Sequence, residues 1–367
     1  MKRLSSFISA ALSVLLLVVS TMPAAAATQS TSNVANDSAG LSIEPRKNYV
    51  INPGQTVSDK LTIGNLDTSS GLSLSLQMID FTYTDQSGTP KLFLAANAPL
   101  TAWSLKPYTT LPSSLDIGPG ETKTINYSIT IPKNLGAGSY YSAIIYRSGT
   151  SNEGNVALGA SGVTLVFVSV PGTVNENLSL QKFGAYESTD NGVTGSYVYV
   201  ASNGAPQMIA YTLKNAGNVT EEPAGTITLK NMFGKTVGSI SKTNDTQALA
   251  LIGQTRLFAT CIETQASQIT KLGGVTVDNQ GVNTCVTPHL IPGLYTAKLD
   301  ILYGQNGNPT HEITSTAHFW YLPWWFILVL LIVLILIGFG IWWLQRKARA
   351  LVKGTTYHSG SGVSRRR

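Results

Sequence analysis

Between Leu41 and about Thr316 the chain is written in short runs of β-forming residues broken by Gly, Pro, Asn and Asp. Lys60-Leu-Thr-Ile, Leu72-Ser-Leu-Ser-Leu-Gln-Met and Thr124-Ile-Asn-Tyr-Ser-Ile-Thr-Ile alternate apolar and polar positions, which predicts strands with one face buried. Tyr140-Tyr-Ser-Ala-Ile-Ile-Tyr reads as a further strand. No segment before Phe319 carries a helical period. Strands spaced about ten residues apart with such turns predict β-sandwiches.

The pattern occurs twice. Leu61-Thr-Ile-Gly-Asn65, Gly118-Pro-Gly-Glu-Thr-Lys-Thr-Ile-Asn-Tyr127 and Gly136-Ala-Gly-Ser-Tyr140 with the strand after it form a first set. Tyr211-Thr-Leu-Lys-Asn215, Ile252-Gly-Gln-Thr-Arg-Leu-Phe258 and Ile291-Pro-Gly-Leu-Tyr295 with its strand repeat it in the same order. Two tandem immunoglobulin-like sandwiches are expected, at 41–173 and 174–316, with the boundary near Pro171-Gly172.

A different pattern follows. Trp324 to Leu344 is uncharged and apolar over 21 residues, about 31 Å as a helix, the thickness of a hydrocarbon core. Trp324 and Trp325 mark one membrane interface and Trp342 and Trp343 the other. Pro323 suits a first helical turn, so the span is set at 323–344. Arg346, Lys347 and Arg349 follow with no acid after them, which places the basic tail 345–367 in the cytoplasm. At the other end, Met1-Lys2-Arg3, the apolar stretch Leu12 to Val19 and Ala24 to Ala27 read as a signal peptide, 1–27, followed by a flexible leader, 28–40. The expectation is an all-β ectodomain followed by one C-terminal transmembrane helix, a single-pass type I protein of the cell membrane with its body outside the cytoplasm.

The net charge of +6 is confined to these ends. Apart from Lys2, Arg3 and seven tail residues, 16 Lys and Arg face 19 Asp and Glu. The body is mildly acidic, so no nucleic-acid partner is expected. The 12% charged residues also exclude a coiled coil and a charge-rich disordered chain.

Cys261 and Cys285, the two cysteines of the chain, bracket an insertion that the first set lacks. In an exported chain the pair reads as one disulfide closing a 25-residue loop. The alternatives are free thiols and a metal site shared with His289, the latter one ligand short of the four that structural zinc uses.

Catalytic chemistry is hard to find. The histidines are His289, His311, His318 and His358, and no H-E-x-x-H, G-x-S-x-G or phosphate-binding loop occurs. Asp80 and Asp116 read as strand-edge and turn carboxylates. A non-enzyme without cofactor or metal is expected. Aromatic residues are plentiful in the first set, and the long connection Leu92–Leu115 carries Trp103 and Tyr108. Tyr83, Trp103, Tyr108 and Tyr141 are the candidate ligand-binding residues, since aromatic faces stack on sugar rings. The competing reading makes most of these aromatics core or tyrosine-corner residues.

Leu41-Ser-Ile-Glu-Pro45, Asn52-Pro-Gly-Gln-Thr56, Leu61 to Asn65, Ile117-Gly-Pro-Gly-Glu-Thr122, Ile131-Pro132 and Gly136 to Tyr146 together resemble the peptidoglycan-binding domain of WxL-interacting proteins. Gly159 to Gly172 resembles its closing strand. Asn215-Ala-Gly-Asn218 with Gly225 to Gly234 resembles the opening of that family's second domain, from which the Cys261–Cys285 insertion departs. The resemblance implies a bacterial cell-surface protein that binds cell-wall peptidoglycan through the first domain, engages a surface protein through the second and is held by its C-terminal helix. A pilus-chaperone-like module acting by strand donation is the alternative.

Overall fold

The structure, a computed structural model, describes residues 40–95, 97–148, 161–188, 194–266, 270–272, 275–277, 283–304 and 309–354. The expected signal peptide, nearly all of the leader and the end of the basic tail lie outside the described residues.

The first sandwich contains β1 (Leu41–Ile43), β2 (Arg46–Val50), β3 (Thr56–Asn65), β4 (Leu72–Ile79), β5 (Phe81–Tyr83), β6 (Pro90–Leu92), β7 (Thr109–Thr110), β8 (Ser114–Ile117), β9 (Thr122–Thr130), β10 (Gly138–Ser148) and β11 (Ser161–Val170). Its sheets have the orders β1-β3-β9-β7 and β2-β11-β10-β4-β8. The second contains β12 (Leu178–Ser188), β13 (Gly195–Tyr197), β14 (Val200–Ala201), β15 (Met208–Asn215), β16 (Ala224–Asn231), β17 (Thr236–Ile240), β18 (Thr255–Cys261), β19 (Glu263–Ala266), β20 (Thr270–Leu272), β21 (Val275–Val277), β22 (Asn283–Val286), β23 (Gly293–Tyr303) and β24 (His311–Tyr321). Its main sheets run β13-β12-β15-β18 and β14-β24-β23-β16-β17. In both units the opening segment switches sheets. Its first part pairs antiparallel in one sheet, and its second part, β2 or β14, runs parallel to the last strand of the other. Among the described residues the chain before its final helix is β apart from one 3-10 turn, Lys106–Tyr108, and forms two immunoglobulin-like sandwiches in tandem.

The repeat has a physical cause. Asn65 and Asn215 end equivalent strands and are both buried. Asn65 Nδ2 donates to Ser70 O at 2.7 Å and Gly118 O at 3.0 Å, while its Oδ1 accepts Asp67 N. Asn215 Nδ2 donates to Val219 O at 2.7 Å and Ala250 O at 2.9 Å, while its Oδ1 accepts Gly217 N. Each amide satisfies buried main-chain groups of two turns at once, which neither Asp nor an apolar residue can do. The corners also match. Tyr140 OH donates to Gly136 O and Tyr295 OH to Ile291 O, at 3.0 and 2.7 Å, a tyrosine corner at the same place in each unit.

Two boundaries differ from expectation. The second sandwich ends at Tyr321, not 316. β24 stays in register with β23 from His311 to Tyr321, and Phe319, 1% exposed, stacks on Tyr295 at 5.4 Å. Cutting at Thr316 would remove that core ring. The helix, α1, runs from Trp324 to Gly354, past the expected end at Leu344. Arg346 to Leu351 are good helix formers, and Gly354 is the last helical residue described. Trp324–Lys347 is long and apolar enough to cross a membrane, and Trp324, Trp325, Trp342 and Trp343 are all exposed.

Cys261 and Cys285 form a disulfide. The connection it staples occupies 262–292, where the first sandwich needs only 131–137. Cys285 packs toward Tyr186, Met208 and Ala210 on the outer face of the β12-β15-β18 sheet. Closing a loop of this length restricts the unfolded chain by about 3 kcal/mol. Replacing both cysteines by Ala is expected to lower the stability of the second sandwich by about that amount. Denaturant unfolding with and without reductant checks this, and reductant should leave the double variant unchanged.

Candidate binding cleft

β10 is apolar on both faces. Ile144 and Tyr146 point into the first sandwich, while Tyr141, Ala143 and Ile145 point out of it. An antiparallel sheet normally gives one face to water, so a doubly apolar strand requires a cover. Leu249 and Leu251 of the second sandwich supply it, packing with Phe81, Tyr141 and Phe167 into one cluster. The two leucines are 7% and 0% exposed, worth roughly 2 kcal/mol each in apolar burial.

Polar contacts set the angle of this joint. Ser139 N donates to Asn218 O at 3.1 Å, Asn218 Nδ2 to Ala137 O at 3.1 Å and Thr220 N to Ser139 Oγ at 2.9 Å. Gly138 between them has φ +150°, and a Cβ there would meet Asn218 O at 2.9 Å, so glycine is required. At the far side Leu257 N donates to Gln86 O at 2.6 Å, and the Arg256 guanidinium lies 4.6 Å from the Tyr83 ring. Arg46 crosses at a third point. It lies 5.2 Å over Phe167, donates to Gln247 O at 2.8 Å and has Glu222 at 3.9 Å. Gln247 is the one non-glycine residue with positive φ, 52°, among the described residues.

Beside the joint, a cleft of about 750 Å³ opens between the sandwiches. One wall is Arg46, Asn48, Tyr49 and Val50 of β2, and the other includes Thr220, Ser241, Lys242 and Tyr303. β2 is an edge strand. Leu165 N donates to Pro45 O and Ile51 N to Ser169 O, so alternate residues bond β11. The main-chain groups of Arg46, Asn48 and Val50 therefore point to the open side. Arg46 and exposed Lys242 give the cleft two cations against one acid, Glu222. Tyr49 OH is held inward by Asp59 and Tyr127. Burial and the Asp59 hydrogen bond push that phenol far above its ordinary value.

The four candidate aromatics sit elsewhere. Tyr141 is fully buried and Tyr83 is 9% exposed, both in the cluster under the joint. They are core residues, and the expectation of a sugar-stacking face on them fails because the second sandwich occupies that face. Trp103 is half-buried and stacks on Tyr141 at 5.5 Å. Tyr108, also half-buried, lies outside this cluster. Asp80 and Asp116 do not form a pair. Buried Asp80 accepts from Thr101 N and Oγ1, Ser104 Oγ and Ser142 Oγ, tying the 92–115 connection to β10, and Asp116 accepts from Ser73. Arg46 and Lys242 carry no local sequence signal. They face one cleft only because the domains meet.

Behind the joint lies one unusual carboxyl. Glu221 is 1% exposed, and its main chain pairs with Ala250, between the two bridging leucines. Burial, with the nearby Glu176 charge, pushes its pKa up to about 8, and the Gly304 N–H pulls weakly the other way. Across the joint the two sandwiches share one apolar cluster.

No family model matches the chain, and no curated protein sequence matches it. Among solved structures it is similar to a chaperone–tip adhesin complex of CFA/I fimbriae biogenesis, at 9% identity over 75% of this chain and 97% of that one, with a TM-score of 0.35. It is similar to the class 5 fimbriae chaperone CfaA at 10% identity over 75% and 98%, TM-score 0.32. It is also similar to PapD-like domain 7 of human CEP192, at 13% identity over 42% and 99%, TM-score 0.28. At these scores nothing about ligand or assembly passes from those proteins to this chain.

Because Glu221 holds a proton more tightly when folded, the folded state loses stability as pH rises from its ordinary value near 4.5 to about 8. Glu221→Gln removes that slope. Thermal unfolding from pH 5 to 9 should show the wild-type midpoint falling relative to the variant across this range, with the gap constant above it.

Proposed function

We propose that this chain is a membrane-anchored, non-catalytic binding protein whose cleft holds an extended ligand outside the cytoplasm. The observation that carries this reading is the cleft itself: an open strand edge beside two cations, between sandwiches fixed by a shared apolar cluster. The apolar helix α1 supports the anchor, and the basic residues after it support a type I orientation. The proposed ligand is cell-wall peptidoglycan, following the resemblance to WxL-interacting proteins. Stem-peptide carboxylates suit Arg46 and Lys242. The second sandwich then contributes a wall of the site, and a separate surface-protein partner would use another face of it.

One observation favours a second reading. The outward main chain of Arg46, Asn48 and Val50 can accept a strand from another protein, as strand-donation modules do. The two readings separate in one experiment. Full-length protein in detergent is sedimented with protein-free sacculi, and Lys242→Glu is run beside it. Wall binding is expected to bring wild type down and to weaken several-fold in the variant. Wild type that stays in solution contradicts wall binding and leaves strand capture, tested next with extended peptides.

A further inference from the structure

The second sandwich exposes large apolar side chains unevenly. Among its described residues Tyr199, Val200, Met232, Phe233, Ile291 and Trp320 lie at one end, and Leu302 alone lies at the other. The register places the six together. Asn231 pairs with Tyr295, so Met232 and Phe233, at the β16–β17 tip, come level with Leu294 and Gly293. Leu294 and Gly293 pair with Trp320 and Tyr321, and Trp320 pairs with Val200. The Met232 methyl lies against Gly293, where a Cβ would meet it at 2.1 Å. Phe233 is 77% exposed and Tyr199 is 76% exposed, which a side chain facing only water has no reason to be in such company.

This end is also where α1 begins. Only Leu322 and Pro323 separate β24 from Trp324, and Trp324 N lies 3.3 Å from Ser202 O. A chain reaches at most about 3.6 Å per residue, so the end of β24 stays within roughly 10 Å of the start of the helix. Exposed Lys230 and Lys235 flank the Met-Phe tip, a pattern suited to headgroup phosphates around an inserted apolar pair. Among the described residues the acids of this end, Glu187 and Glu263, belong to the opposite side, on β12 and β19. That asymmetry gives the contact a sense, with the β16–β17 edge toward the lipid.

We propose that the α1-proximal end of the second sandwich is a lipid-docking surface. The Met232-Phe233 tip, with Tyr199, Val200, Ile291 and Trp320, enters the interface of the same bilayer that α1 spans. Two attachments, a span and a docked face, hold the sandwich at a fixed tilt to the bilayer. The inference rests on the reading of α1 as a membrane span, and its test separates the two.

Full-length protein is reconstituted in nanodiscs of phosphatidylcholine and phosphatidylglycerol. The native cysteines are bonded to each other, so an environment-sensitive fluorophore can be placed singly at Thr236→Cys, Leu330→Cys or Glu312→Cys. Quenching by nitroxide-labelled lipid should be strong at Leu330, several-fold stronger at Thr236 than at Glu312, and reduced at Thr236 to the Glu312 level by Met232→Ser with Phe233→Ser. Equal quenching at Thr236 and Glu312 beside a quenched Leu330 overturns the docking surface and leaves the span. An unquenched Leu330 overturns the span and the inference together. A Thr236 label shielded from aqueous iodide yet untouched by nitroxide lipid means that protein covers this end, and it also overturns the proposal.

Discussion

The architecture depends on a strand that is buried twice. β10 supplies one face to the core of its own sandwich and the other to a cluster that the second sandwich completes through Leu249 and Leu251. Without that cover, Tyr141, Ala143, Ile145 and Phe167 would face water, at a cost no surface of a stable monomer carries in one patch. The two sandwiches are therefore not beads on a string. The apolar cluster sets their distance, and Asn218, Ser139 and Arg46 set their angle. The cleft exists because both are fixed.

The same joint explains why buried polar groups gather near it. Glu221 sits behind the segment that docks on the first sandwich and pairs with the residue between the bridging leucines. Gln247, strained at positive φ, presents its carbonyl to Arg46. Gly88, at φ +90°, lets the Arg256 guanidinium approach, since a Cβ there would lie 2.1 Å from its Nη1. Strain and burial of this kind persist only where surrounding packing over-determines them.

Much of the fold is legible in the sequence because period-two alternation, turn glycines and the two asparagine turns are local signals. Asn65 and Asn215 mark the repeat, and each satisfies three main-chain groups of two turns for the same reason. The C-terminal helix is legible from its length and charge pattern alone. What local signals do not reach is the joint. The run Tyr140 to Tyr146 is apolar in both phases, which is the signature of a strand covered on both sides. Read as a source of exposed aromatics it suggests Tyr141 and Tyr83 as a sugar platform, and the structure places both in the core. Arg46 and Lys242 lie nearly two hundred residues apart, and no spacing rule brings them to one cleft. The end of β24 is misread for a simpler reason. Phe319-Trp320-Tyr321 resembles the approach to a membrane span and is also the end of a paired strand.

The cluster around β10 holds the two sandwiches in one arrangement. The most direct test of this is a distance distribution between spin labels at Lys60→Cys and Lys298→Cys, one exposed position in each sandwich, measured by pulsed electron resonance on the full-length protein. A single narrow distribution is expected, broadening markedly when Leu249 and Leu251 are both changed to Ser. A broad distribution in the unaltered chain, or one indifferent to those leucines, would mean that the cluster does not hold the sandwiches together.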